Sequence, residues 1–330
     1  MIRYAAAVLL LAAAVLPVQA QDKAQNWPDR PVKIIVPFGA GGSGDTLARV
    51  VAEHLSATFK QQFVVENRTG AGGAIGTAAI ATAPPDGTTI GITNLSTLAL
   101  VPAINPAVSY HPLNDFTHIA YVAGAPVALA ATPSSGIKTL KDFIDTANRS
   151  AKETGKPLTF ASSGVGSDGH LMGVAIALAT GVSLEHVPYR STSQALTDVV
   201  AGHVALCTFT LSSTAQFLRG GQLNGVAVTS PERMPDQPEL ATFKEHGYPQ
   251  LVGTTWFSLS GPARLPAEIV EKINREVAAI VALPEVQARL RRDGFIAQPM
   301  SPAEFTKYVG AEAARWKPLV EQAGLAGKGG

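Results

Sequence analysis

The chain has 330 residues, 46% hydrophobic and 15% charged, with 26 Lys and Arg against 25 Asp and Glu. A balance this near zero leaves no bulk field to hold a nucleic acid or an anionic membrane surface. The single cysteine, Cys207, cannot form an internal disulfide, and its apolar setting after Val204-Ala205-Leu206 marks a buried structural thiol.

The N-terminus reads Met1-Ile2-Arg3, then an apolar run over residues 5–18 that closes on Val18-Gln19-Ala20. A basic start, an apolar middle and a small-x-small ending make a secretory signal peptide over residues 1–20, cleaved after Ala20. The run is shorter than the roughly 20 apolar residues that span a bilayer, and no Cys follows to carry a lipid. A soluble periplasmic protein is therefore expected. Removing 20 of the 330 residues takes away Arg3 and leaves about 310 residues with 25 basic and 25 acidic side chains. A chain of that length predicts two domains.

Val32-Lys33-Ile34-Ile35-Val36 reads as a buried strand and runs into Pro37-Phe38-Gly39-Ala40-Gly41-Gly42-Ser43-Gly44-Asp45. A helix follows, with Leu47, Val50, Val51, Leu55 and Phe59 on one face. Residues 63–66 form a second strand, Gly70 to Gly73 another glycine loop, residues 74–81 a small-residue helix, and Asp86-Gly87 a turn into a strand over 89–93. The same grammar restarts with strands over 127–131, 158–161, 184–187 and 204–209. Helices over 140–149, from the loop Ser162-Ser163-Gly164-Val165-Gly166-Ser167 to about 179, and over 195–201 separate them. The C-terminal part is helical, with an amphipathic stretch over 266–281 and an N-cap, N1 proline and N3 acid in Ser301-Pro302-Ala303-Glu304. Strand, loop and helix in alternation predict an α/β fold, with mixed sheets flanked by helices in two similarly built domains.

Gly39, Gly41 and Gly44 satisfy G-x-G-x-x-G between a strand and a helix, and Glu66 stands where a ribose-binding acid would. An exported chain without a twin-arginine signal has little access to NAD, so no cofactor is expected. A secreted dinucleotide-binding enzyme remains the alternative reading. Glycine also serves simple turns. Two loops of similar build, each feeding a helix start and neither containing Lys or Arg, favour a shared purpose: free N–H groups at both helix starts cradling one anion. Ser43, Ser162, Ser163 and Ser167 within the loops, and Asn94 and Ser96 after the strand over 89–93, could read the rest of the ligand.

The enzyme readings find little support. Ser163-Gly164-Val165-Gly166-Ser167 orders its serines and glycines wrongly for a nucleophile elbow. Asp168 and His170 lie on the opening turn of one helix, where Asp168 is a favourable first-turn acid. The seven histidines show no ligand spacing, so neither catalysis nor a metal is expected.

Trp27-Pro28-Asp29-Arg30-Pro31-Val32, the segment from Val36 to Asp45, Val65-Glu66-Asn67-Arg68-Thr69-Gly70-Ala71-Gly72-Gly73, Pro85-Asp86-Gly87-Thr88-Thr89, Asp115-Phe116, Ser163 to Ser167 with His170-Leu171, and His186-Val187-Pro188-Tyr189 resemble the periplasmic receptors of tripartite tricarboxylate transporters, the Bug receptors. The resemblance runs from about Trp27 to the C-terminal helices. It implies a hinged, two-domain periplasmic binding-protein fold of type II kind, crossing between domains near Gly124 and Leu251, so that 22–124 with 252–330 faces 125–251. It also implies a monomer that binds a small carboxylate (a dicarboxylate, an acidic amino acid or an aromatic acid) and hands it to membrane transporter subunits or a sensor. Carried over residue by residue, it selects Phe38, Ala40, Gly41, Gly42 and Ser43 on one side, and Ser162, Ser163, Gly164, Gly166 and Ser167 on the other. The family's aspartate after Val-Pro-Tyr falls on Asp198. One departure follows Tyr189, where Arg190-Ser191-Thr192-Ser193-Gln194 replaces a basic residue, glycine, serine and alanine; Thr192 joins the site, and the added side chains are expected to reshape the distal pocket. Arg190 reads as an outward or hinge-spanning cation and is left out.

Overall fold

The computed structural model describes residues 26–327, so the leader expected over residues 1–20 lies outside the described residues. Strand β1 (Val32–Val36) buries Val32, Ile34, Ile35 and Val36, because its β-branched run is covered on both faces. Helix α1 (Ser43–Phe59) lays Leu47, Val50, Val51 and Leu55 on the sheet. Phe59 is less buried and meets Trp27 edge-on at 5.5 Å. Strand β2 (Phe63–Asn67), helix α2 (Ala74–Ala81), strand β3 (Thr89–Asn94) and a helical segment, Ser96–Leu100 running into α3 (Val101–Ile104), complete the first block.

Strand β4 (Phe116–Ala131) is 16 residues long and belongs to both sheets. Up to Pro126 it pairs antiparallel with β9 (Thr254–Pro262), and from Val127 it pairs with β7 (Leu206–Thr210) and β8 (Asn224–Val228). The first sheet runs β2-β1-β3-β9-β4. The second joins β8, β4, β7, β5 (Leu158–Ser162) and β6 (Leu184–Pro188). Its helices are α4 (Leu140–Thr154), α5 (Asp168–Thr180), α6 (Thr192–Val200) and α7 (Leu211–Arg219). Each lobe is thus a mixed sheet between helices, as the alternation of strand, loop and helix led one to expect.

Three strands escape the sequence reading: the first half of β4, all of β8 and all of β9. Gly124-Ala125-Pro126 looks like a break, since proline cannot donate to a ladder. The strand continues through it because Gly124 exchanges both backbone bonds with Ile296, at 2.8 and 2.7 Å.

The C-terminal helices α8 (Ala267–Ala282), α9 (Pro284–Arg292) and α10 (Pro302–Gln322) cover the first lobe. The expected Ser301–Glu304 box caps α10. On α10 the buried Glu312 accepts from the indole N–H groups of Trp256 at 3.2 Å and Trp316 at 3.0 Å. Arg315 adds 3.3 Å to Glu312 and donates to the Val252 carbonyl at 3.1 Å, fastening α10 to the point where the chain re-enters the first lobe. Replacing Glu312 by Ala strands two buried indole donors. We expect Glu312→Ala to lower the unfolding free energy by about 2–4 kcal/mol in urea titrations; an unchanged midpoint would show that the carboxylate does not tie these elements together.

Candidate functional site

The loop from Pro37 to Gly42 is shaped by one carboxylate. Asp45 Oδ2 accepts from Gly41 N–H at 3.0 Å, and Gly41 takes a left-handed φ of 79°. Asp45 is held in turn by Arg49 at 2.9 and 3.0 Å and by Asn67 at 3.0 Å, while Asn67 also donates to the Phe38 carbonyl. Burial alone would raise the Asp45 pKa, but hydrogen bonds from Arg49, Gly41 and Asn67 outweigh it and hold the carboxyl below its ordinary range. With its loop fixed this way, α1 begins at Gly42 with no side-chain cap. The first-turn N–H groups of an uncapped helix lack internal partners and carry the positive end of its dipole. Gly42, Ser43 and Gly44 all border a small inner cavity.

The second loop is built differently. Ser167 caps α5 by accepting from His170 N–H at 3.2 Å and donates to the Gly164 carbonyl at 2.8 Å. Gly166 N–H donates to His170 Nδ1 at 3.2 Å, and Ser162 Oγ meets His186 Nε2 at 2.7 Å. The two imidazoles stack at 3.9 Å between centroids, a pair the sequence spacing did not reveal. Asp168, half-buried, accepts from Thr255 Oγ1 at 2.7 Å, and desolvation raises its pKa. The matched loops led one to expect two equivalent, open helix starts, and they are not equivalent: protein side chains cap α5, while α1 stays open. The correction has a simple cause, since Ser167 is a good N-cap and Gly42 has no side chain to offer.

The lobes touch at several points. Ser43 Oγ lies 2.6, 2.6 and 2.9 Å from the hydroxyls of Thr210, Ser212 and Ser213 across the boundary. Ser96 donates to the Gly166 carbonyl at 2.9 Å, and Ser193 to the Ala40 carbonyl at 3.1 Å. A Cβ on Gly39 would stand 2.7 Å from Ser191 Cβ, so glycine there permits the closest approach of loop to opposite lobe. This is a closed arrangement.

Two cavities result. The inner one, about 30 Å³, is bordered by Phe38, Gly42, Ser43, Asn94, Ser163 and Thr192 among the residues the sequence selected, and by Asp168, Phe209, Thr210, Ser213 and Phe257, which it did not. The outer one, about 490 Å³, adjoins it at Phe38 and Ser163 and is walled by Gly164, by Thr69 to Gly73 and by Pro188, Tyr189 and Arg190. Gly70 to Gly73 were visible as a glycine loop; Phe257 gave no signal. Phe209 and Thr210 end a strand, where α/β sheets bind ligands, and could have been found.

The other selected residues border neither cavity. Ala40, Gly41, Ser96, Ser162 and Ser167 make the loop and cross-lobe bonds above, and Gly166 borders a shallow groove beside Val101. Asp198 borders neither cavity and accepts from the Tyr189 hydroxyl at 2.7 Å, fixing that wall residue. Glu66 is held by Lys33 at 2.7 Å and by Arg68, and Ser191 covers Gly39, so neither end of the dinucleotide fingerprint is free for a cofactor. Among the described residues no cluster of His, Cys, Asp and Glu could hold a metal, and no helix is long and apolar enough to cross a membrane. Cys207 is buried, its thiol pushed up to about 12 by desolvation.

Comparison with known proteins agrees with this architecture. The tripartite tricarboxylate transporter family receptor profile matches residues 47–325. The chain belongs to that family. BugT of Bordetella pertussis is 30% identical to this receptor over 319 residues, covering 96% of this chain and 97% of BugT. A solved Rhodopseudomonas palustris protein, Rpa4515 with adipate, is 34% identical with a TM-score of 0.87, covering 91% of this receptor and 99% of its own chain. MatC of the same organism, with bound malate, is 30% identical with a TM-score of 0.83, over 89% and 100%. This receptor is thus a periplasmic solute-binding protein of the Bug type.

Desolvation lowers the His170 pKa to about 4; desolvation, and then the neighbouring His170, lower His186 to about 3. Unfolded, both would protonate near 6.5. The folded receptor binds fewer protons, so stability is full above pH 6.5 and falls as the pH drops towards 4, by about 3 kcal/mol for His170 alone. Urea titrations from pH 7 to 4 should show this slope, flattened in His170→Gln; an equal slope in both proteins would mean that the pair is not excluded from protonation.

Proposed function

We propose that this receptor, exported by its leader, captures a small carboxylate between its lobes and delivers it to a tripartite tricarboxylate-type membrane transporter, without catalysing a reaction. The reading is carried by the uncapped start of α1, whose N–H groups border a cavity closed from the other side by hydroxyls. An anion there gains charge-assisted hydrogen bonds without a neighbouring cation. Relatives solved with adipate and malate support the ligand class.

The two cavities divide the work. About 30 Å³ holds only a few water-sized groups, the bulk of a carboxylate head. The body of the ligand then lies in the outer cavity, whose volume falls within the roughly 300–1,000 Å³ usual for small-molecule sites. The lobes are residues 22–124 with 252–330 against 125–251, a division supported by the change of partner along β4 between Pro126 and Val127. Hinge motion about these crossings admits the ligand, and its contacts to both lobes hold the closed state.

Calorimetry on the secreted chain with a panel of carboxylates, sugars and amines tests this. A carboxylate should bind near micromolar, about 8 kcal/mol, and stabilise the fold by about 2.7 kcal/mol at one hundred times Kd. Binding of a sugar or an amine but no carboxylate would overturn it. Gly39→Ala, which sets a methyl against Ser191, should raise Kd about tenfold or more, costing about 1.4 kcal/mol, with the ligand-free melting temperature unchanged. Unaltered affinity would mean that binding does not need the lobes this close.

A further inference from the structure

We propose that Arg190 sets the ligand class of this receptor by reading a second carboxylate, making it selective for dicarboxylates over monocarboxylates of equal length. The inference rests on the proposed capture of a first carboxylate at α1 and concerns the other end of the ligand. The wall residues of the outer cavity are glycines, small polar groups and uncharged side chains such as Phe38, Ala71 and Tyr189; Arg190 is the one charged residue among them. No hydrogen bond or ion pair engages its guanidinium among the described residues.

Two acids in segments adjoining the cavity walls have partners of their own. Glu66, three residues before the Thr69 wall, is held by Lys33 and Arg68. Asp198 accepts from Tyr189 and lies 3.6 Å from His203. The protein therefore supplies no anion to Arg190, although its backbone position is well fixed. Tyr189 N–H donates to the Ser162 carbonyl at 3.0 Å and its hydroxyl to Asp198. On the other side, Ser191 caps α6 through Gln194 N–H at 3.3 Å. An exposed Arg on a pinned backbone, bordering a cavity of about 490 Å³, carries a planar fork suited to a carboxylate.

The two compartments differ in charge in a way that fits such a ligand. The inner cavity has no cationic residue on its walls, and its one acid, Asp168, is bonded to Thr255. It offers dipoles. The outer cavity offers a full charge to whatever reaches past Phe38 and Ser163. A monocarboxylate fills the first and leaves Arg190 in water; a dicarboxylate engages both. Because Arg190 is solvent-exposed, the second contact is screened by salt.

Calorimetry on the secreted chain with adipate and hexanoate, at low and high salt, tests this. We expect wild type to prefer adipate about tenfold, close to 1.4 kcal/mol, and the preference to shrink at high salt. Arg190→Gln should abolish most of it by raising the adipate Kd, with the ligand-free melting temperature unchanged, and Arg190→Lys should restore part. Equal affinity for the two acids in wild type, or a preference that survives Arg190→Gln, would overturn the role of Arg190 and leave carboxylate capture standing. Failure of the wild type to bind any carboxylate would sink both.

Discussion

Ser43 is where the two halves of this protein meet, and its hydroxyl faces three others from the opposite lobe at 2.6 to 2.9 Å. It stands in the first turn of a helix that no side chain caps, so the same few ångströms contain open backbone donors and the cross-lobe contact. Hydroxyl pairs of this kind exchange readily with water and contribute only about 0.5–1.5 kcal/mol each. A guest that engages both sides of the boundary favours the closed state by the contacts it makes only there.

The surrounding structure keeps that meeting point in place. Asp45, tied to Arg49 and Asn67, holds the loop so that Gly41 bends and Gly42 is left without a cap. On the far side, the stacked pair His170 and His186 supports the second loop through Gly166 and Ser162. One strand, β4, runs unbroken through both sheets, and α10 clamps the return crossing through Glu312 and Arg315.

Much of the first lobe was legible in the sequence because its signals are local. The β-branched run from Val32 to Val36, the glycines that follow and the spacing of Leu47, Val50, Val51 and Leu55 each act within one turn or one strand. Other features were not legible. Pro126 reads as a stop, yet the strand passes through it, because Gly124 is bonded from Ile296, far along the chain. Strands β8 and β9 lack a strong run of their own and exist through their long-range pairing with β4. Arg190 reads as an outward cation and is exposed; that it also borders the outer cavity was not legible, because the other walls include loops more than a hundred residues before it.

By itself, the sequence determined the α/β grammar, the two repeated blocks and the glycine loops at helix starts, since hydrophobic period and glycine's backbone freedom are properties of short segments. Only the tertiary structure decided that one helix start stays open while the other is capped. It alone set Phe209, Thr210, Ser213 and Phe257 against the first loop, and placed Arg190 on the border of the outer cavity. The reason is physical: capping, desolvation and charge pairing depend on which atoms come within a few ångströms, and here those atoms belong to opposite lobes.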